Sequence, residues 1–275
     1  MPELPEVETV VRDLRAALRG KKIKEMVFFS PHLEKRQPAS APAPDRYLGK
    51  KIVEIRRRGK MIIFEIEGGL GLLVHLKMTG QLILCSPARP SDKHTHARMS
   101  FYGIRKELRF RDVRKFGFLT CLNLCDISQK VDSSLGPEPL AMNFSDFRKR
   151  LLVYGKKKIK SWLLDQKIIA GIGNIYSDEI LFRAGLRPER MAGSLDETEA
   201  RRLWNSMRFI LKKAISLRGS SVSDYVDATG ETGRFQLEHR VYGKGGEVCR
   251  RCRQSVIERK KIGGRSSYFC PACQK

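Results

Sequence analysis

Two short stretches, at opposite ends of the sequence, have the residue types and spacing for chemistry. The chain opens MPELPEVETV, with Glu3, Glu6 and Glu8 close together behind Pro2. A helix start accounts for much of this. Pro5 suits a first turn, and acidic residues there complement the helix dipole. Val7, Val10, Val11, Leu14 and Leu18 recur at helical spacing, so the pattern predicts a helix over 5–20 with Gly20 as its C-cap. Pro2 is not explained by the helix. With the initiator Met removed, Pro2 becomes a free secondary amine beside Glu3, a nucleophile next to an acid/base partner.

At the other end stand Cys249-x2-Cys252 and Cys270-x2-Cys273, seventeen residues apart. Each Cys-x2-Cys turn aims two thiolates at one point, and two turns complete a tetrahedral zinc site. The competing readings are two disulfides or unpaired thiols. An odd total of seven Cys fits a reducing compartment and favours zinc. A closed four-thiolate site leaves no open coordination position, so one structural Zn2+ is expected. Cys85, Cys121 and Cys125 read as core or loop residues.

The charge balance points to a polyanionic partner. The 275 residues carry 54 Lys+Arg against 30 Asp+Glu, a net +24. Nucleic acid leads; an anionic membrane is the alternative. No apolar run of spanning length and no signal-like start is present, so a soluble intracellular protein is expected. Residues 159–185, IKSWLLDQKIIAGIGNIYSDEILFRAG, read as helix, Gly-rich turn, helix. Asn174 is placed to cap the second helix and Gly185 to end it. Such an N-terminus suits a phosphate, here that of DNA. Gly171-x-Gly173 lacks the preceding strand and third Gly of a dinucleotide fingerprint.

The elements that must position these groups follow from the rest of the pattern. Short apolar runs at 52–57, 61–66, 72–76, 81–84, 97–102, 107–111 and 118–122 predict strands. The Pro-bearing stretches 30–46 and 85–96 read as exposed loops. The pattern turns helical beyond 135–145. Ser194 and Glu197 form a capping-box signature opening a long helix, and 219–236 reads as a mobile loop. The fold class is α+β: an N-terminal helix with an antiparallel β-sandwich, then a helical domain with a four-Cys zinc finger. The expected boundaries are 1–133, a linker over 134–144, 145–236 including the loop, and the zinc module over 237–275.

These features together resemble the bacterial formamidopyrimidine-DNA glycosylases, which carry a helix–two-turn–helix domain. The resemblance rests on PELPEVETV, GIGNIYSDE and the terminal four-Cys finger, with HLKMTG (75–80), RKFG (114–117) and LGPEPL (135–140). It spans the whole chain. Val113 and Lys115 depart from the family's Pro-Arg-Arg-Phe-Gly stretch. Leu4 separates the chain from the sister family similar to endonuclease VIII, whose start reads Pro-Glu-Gly-Pro-Glu.

The resemblance implies a DNA repair enzyme, a glycosylase and abasic-site lyase. It would excise oxidised purines such as 8-oxoguanine and formamidopyrimidines from duplex DNA lying in a cleft between the domains. It implies Pro2 as nucleophile, Glu3 as acid/base, and Lys60 and Arg265 as catalytic groups on the lesion's phosphates with Asn174. Met78, Arg114 and Phe116 are implied as the residues that fill the space of the flipped base. Glu6, His75, His94, Lys156 and Tyr242 are further implied DNA contacts. A core histidine remains an alternative for His75, core packing for Met78 and Phe116, and a helix-start role for Glu6. The implied setting is a monomer on double-stranded DNA, without membrane contact, in the bacterial cytoplasm at the nucleoid. Two rivals are a glycosylase for oxidised pyrimidines and a non-catalytic DNA-binding protein on the same scaffold.

Overall fold

The first helix, α1 (Leu4–Leu18), forms where its periodicity places it, and Val7, Val10, Val11, Leu14 and Leu18 are all buried. The computed structural model describes residues 1–275 throughout. After α1 come β1 (Ile23–Phe28), the single-turn α2 (Pro31–Glu34), β2 (Ile52–Arg58), β3 (Met61–Ile66) and β4 (Leu70–His75). Then follow β5 (Gly80–Cys85), β6 (Thr95–Phe101), β7 (Glu107–Asp112), β8 (Phe118–Asn123) and α3 (Leu124–Asp132). The strands make two four-stranded antiparallel sheets, ordered β1-β6-β7-β5 and β2-β3-β4-β8. Their inner faces share one core, with Phe64, Leu72 and Val74 from one sheet and Met99, Leu108 and Phe110 from the other. This is the expected sandwich. Helix α1 packs on β2 and β3, and α3 on β4 and β8.

Three sequence expectations need correction in this unit. Strand β1 had no signal, because a bulge between Ile23 and Glu25 breaks its alternation and leaves only Ile23 and Met26 fully inside. The stretch 30–46 is not simply an exposed loop. It forms α2 and a 3-10 turn at Pro44–Tyr47, with Leu33 and Tyr47 wholly buried. The third correction concerns 217–236. The chain divides into two compact units, Met1–Ser133 with Leu217–Gln236, and Ser134–Ser216 with Leu237–Lys275. The segment read as a mobile loop of the helical domain is therefore folded into the first unit. Tyr225 and Ala228 enter the sandwich core, Leu84 N–H donates to Ala228 O at 2.8 Å, and Arg218 pairs with Asp13 and Asp227. Its buried apolar residues, Tyr225, Ala228 and Phe235, are irregularly spaced, so the segment carries no period to read.

The second unit contains α4 (Phe144–Val153), α5 (Ile159–Leu164), α6 (Asn174–Ala184) and α7 (Glu197–Ser216), then the hairpin β9 (Glu258–Ile262) and β10 (Arg265–Phe269). The capping box of α7 lies two residues beyond the one expected. Glu199 N–H donates to Asp196 Oδ1 at 2.7 Å and Asp196 N–H to Glu199 Oε2 at 3.2 Å, while Ser194 ends a 3-10 turn. No helix is long and apolar enough to cross a membrane.

Candidate active site

In the first unit the opening carboxylates divide their roles. Glu8 pairs with Arg12 and Arg57 at 2.8 and 2.9 Å, a structural arrangement on the flank of α1. Pro2 and Glu3 are buried, with Met1 projecting at 43% exposure. The Glu3 N–H donates to Glu6 Oε2 at 2.8 Å, and the Ser220 N–H donates to Glu6 Oε1 at 2.7 Å. Glu6 thus fixes the backbone beside Pro2 and the 217–236 segment with the same carboxylate. Its helix-start role is real, and it adds a tie that the sequence did not suggest.

Lys60 sits in the β2–β3 turn, next to Met61, and is buried. His75 lies opposite Met61 on β4. Burial, with the charges of Lys77 and Lys60, lowers its pKa to about 3. Its Nδ1 accepts the Lys77 N–H at 3.0 Å, so the neutral ring carries its proton on Nε2. His75 therefore offers an uncharged N–H donor at Nε2 and no positive charge.

Met78, Arg114 and Phe116 are not core. Met78 is 43% and Phe116 47% exposed, and Arg114 is also exposed. They meet on the surface: Arg114 Nη1 lies 3.3 Å from Met78 Sδ, and its guanidinium lies 4.8 Å from the centroid of the Phe116 ring. Beneath them Asp112 is wholly buried. Its Oδ1 accepts from Thr79 Oγ1 at 2.5 Å and Arg114 N–H at 3.2 Å, and its Oδ2 accepts from Gly117 N–H at 2.6 Å. His94 stands at the base of this loop, where its carbonyl accepts the Asp112 N–H at 2.9 Å.

The second unit holds Lys156, Asn174, Tyr242 and Arg265. Asn174 does not cap α6; Gly173 does, and Asn174 is the first helical residue. Its Nδ2 donates to Ser266 O at 3.0 Å, leaving a buried Oδ1 without a partner. Arg265 opens β10, directly after Gly263 and Gly264 at φ +55° and +80°. Two successive positive φ values make the tight hairpin turn that sets this Arg exposed at the tip. Lys156 is exposed, whereas Lys157 is paired with Asp165 at 2.6 Å.

A buried network supports this surface. Lys160 and Asp178 are both fully buried, 2.7 Å apart. Lys160 Nζ also donates to Asn174 O at 3.2 Å, while Asp178 accepts from Ser267 Oγ at 2.6 Å and Tyr268 N–H at 3.1 Å. The pair fastens α5, α6 and the hairpin together. Next along α6, Glu179 accepts the N–H groups of Arg240, Val241 and Tyr242 at 2.9–3.0 Å. It thereby orients Tyr242, whose ring packs edge-on against His239 and Tyr268.

The sulfurs of Cys249, Cys252, Cys270 and Cys273 lie within 4.8 Å of one another. Two of the separations are 3.8 and 3.7 Å. Tetrahedral zinc with bonds of about 2.3 Å requires sulfurs about 3.8 Å apart, whereas a disulfide is far shorter. The four residues fit zinc.

Three family profiles match in series. The formamidopyrimidine-DNA glycosylase N-terminal domain matches residues 1–119, its H2TH domain 135–226, and the zinc finger found in FPG and IleRS 246–275. The chain belongs to the formamidopyrimidine-DNA glycosylase family. The formamidopyrimidine-DNA glycosylases of Carboxydothermus hydrogenoformans and Solibacter usitatus are 44% and 45% identical to it, each over the full length of both chains. The Lactococcus lactis Fpg, solved in complex with an abasic site containing DNA, superposes with a TM-score of 0.88 at 39% identity, covering 99% of each chain. The wild-type Lactococcus lactis protein, solved with an N7-benzyl-Fapy-dG containing DNA, matches with the same TM-score and identity over all of both chains.

As in the family's finger, the four-Cys site of this glycosylase-family chain holds one structural zinc. Its sulfurs pack with Phe182, Val241 and Ile257, so the metal substitutes for part of a core. Metal analysis is expected to find one zinc per chain. Chelation should remove hydrogen-exchange protection from 249–273 and leave the sandwich protected, because metal binding and folding of such a module are one equilibrium. Unchanged protection after complete zinc loss would contradict this.

Asp112, Lys160, Asp178, Glu179 and Ser220 were not anticipated. The one available signal was the placing of Asp178 and Glu179 in a helix otherwise lined by Ile175, Tyr176, Ile180 and Leu181, where charges must have partners.

Proposed function

We propose that this chain is a base-excision repair enzyme that removes oxidised purines from duplex DNA and then cuts the strand. The observation that carries the reading is the Met78–Arg114–Phe116 cluster. Two large apolar side chains and a guanidinium held in solvent are poorly placed for stability and well placed to fill a base-sized gap. Arg114 would pair with the orphaned base, while Met78 and Phe116 wedge the stack.

With Met1 removed, the Pro2 nitrogen attacks C1′ of the extruded nucleotide. The N–C1′ bond forms, the glycosidic bond breaks with its electron pair, and the departing base takes up a proton. Glu3 assists proton movement as the sugar ring opens, leaving an iminium between Pro2 and C1′. That cation withdraws electrons, so loss of a C2′ proton expels the 3′ phosphate, and a further elimination expels the 5′ phosphate. Lys60, Asn174 and Arg265 hold the phosphates, with His75, His94, Lys156 and Tyr242 as flanking contacts. The zinc has no part in these steps beyond shaping the Arg265 hairpin. The enzyme works as a monomer in the bacterial cytoplasm.

The test separates holding DNA from acting on it. Lys60→Ala should lower the salt slope on undamaged duplex by about 0.9, one phosphate, and slow strand cutting. Met78→Ala removes no charge and should leave the slope unchanged. It should nevertheless reduce single-turnover excision of 8-oxoguanine opposite cytosine by roughly tenfold, because unstacking costs a few kcal/mol that the wedge helps offset. Excision untouched by Met78→Ala, or a lesion panel showing only oxidised pyrimidines released, would reject the proposal.

A further inference from the structure

The Pro-bearing stretch 30–46 has no part in the reading above, yet it reaches the wedge. Arg36 Nη1 donates to Phe116 O at 3.0 Å and to Gly117 O at 2.8 Å. The same Phe116–Gly117 peptide donates its N–H to the buried Asp112 at 2.6 Å. One peptide plane is thus held at its oxygen by a cation and at its nitrogen by an anion. That fixes the ψ of Phe116 and the φ of Gly117, and with them the direction of the Phe116 ring. The grip works against local strain, since Lys115 just before it is left-handed at φ +56°. Gly117 has no room for a side chain: a Cβ would lie 2.9 Å from Phe110 Cζ and 3.0 Å from Asp112 Oδ2.

Arg36 is itself held on a rigid base. Its N–H donates to Leu33 O at 3.2 Å, and Leu33 is wholly buried. The neighbouring Gln37 completes the free edge of β8 as a strand would. Its Nε2 donates to Leu119 O at 2.9 Å and its Oε1 accepts the Cys121 N–H at 2.8 Å. Ordering a segment of this composition against a sheet edge has a large entropic cost. The outcome here is to deliver one guanidinium to two carbonyls beside the wedge.

We infer that Arg36 is a positioning residue for base extrusion, acting through the Phe116–Gly117 peptide. The inference rests on the wedge role proposed for Phe116. Its alternative is that Arg36, exposed and cationic, is simply one more phosphate contact.

The experiment compares Arg36→Ala, Arg36→Gln, Phe116→Ala and the Arg36→Ala/Phe116→Ala double variant. It reads single-turnover excision of 8-oxoguanine opposite cytosine and the salt slope on undamaged duplex. Arg36→Ala should slow excision roughly tenfold, the size expected for losing hydrogen bonds from a charged donor. Arg36→Gln keeps a neutral donor and should recover part of the loss. The double variant should be no slower than Phe116→Ala by more than about twofold, because Arg36 has nothing left to position. The salt slope should not change. A slope reduced by about 0.9 in Arg36→Ala would make Arg36 a phosphate contact and overturn the inference, as would losses that multiply in the double variant. Unimpaired excision by Phe116→Ala is a different result: it would remove the wedge reading on which the inference stands. Should Arg36→Ala fail to fold, the Arg36→Gln/Phe116→Ala pair carries the same comparison.

Discussion

Protein that keeps Met1 is expected to form no covalent complex with lesion DNA under borohydride, while protein beginning at Pro2 is trapped efficiently. The difference lies in one nitrogen. Behind Met1 the Pro2 nitrogen is a tertiary amide whose lone pair is delocalised into the carbonyl; at the terminus it is a secondary amine. Met1 projects from the surface whereas Pro2 and Glu3 are buried, so removing it exposes an amine already placed. The Glu6 carboxylate, gripping the Glu3 N–H, keeps that placement when Met1 is gone. Glu3→Gln preserves shape but removes the acid/base group, and should lower excision by about 10²–10⁴. The intact mass of each preparation and the mass of its trapped adduct report terminus and attachment together. Full trapping by Met1-retaining protein would exclude Pro2 as the nucleophile.

What the sequence disclosed, and what it hid, follows the range of the interactions. Helix α1 and the four-Cys site were legible because their signals are short-range: a 3.6-residue period and two Cys-x2-Cys turns. Met78 and Phe116 were recognisable only by resemblance, since an exposed Met or Phe reads the same as a buried one; their exposure settles that they are not core. The capping of α6 was misassigned because Gly173 and Asn174 are both acceptable caps, and the choice depends on Ser266, distant in sequence. The loop 219–236, which reads as part of the helical domain, folds with the first unit together with Leu217 and Arg218, because the ties of this stretch to Glu6, Asp13 and Leu84 all come from the far end of the chain. Arg36 was hidden for the same reason: its partners lie eighty residues away, in a stretch whose prolines mark only what it cannot be.

Asp178→Ala is expected to destabilise the second unit by about 3–5 kcal/mol, because it removes the carboxylate that faces the buried Lys160 ammonium. The effect is measurable in isolation. Both Trp residues of the chain, Trp162 and Trp204, belong to this unit, so tryptophan fluorescence in a urea titration follows it and not the sandwich. Replacing both partners, as Lys160→Met with Asp178→Leu, should recover only part of that loss: the stranded buried charge is gone, but the Ser267 hydroxyl and the Tyr268 N–H lose their acceptor. Cutting at a preformed abasic site should not recover. Asp178 also accepts from Ser267 Oγ and Tyr268 N–H, and no apolar side chain can hold β10 that way. The hairpin that carries Arg265 would then lose its fixed position while the unit remains folded. A double variant that regains both stability and cutting would show that the buried pair serves stability alone, and that Arg265 does not depend on it for placement.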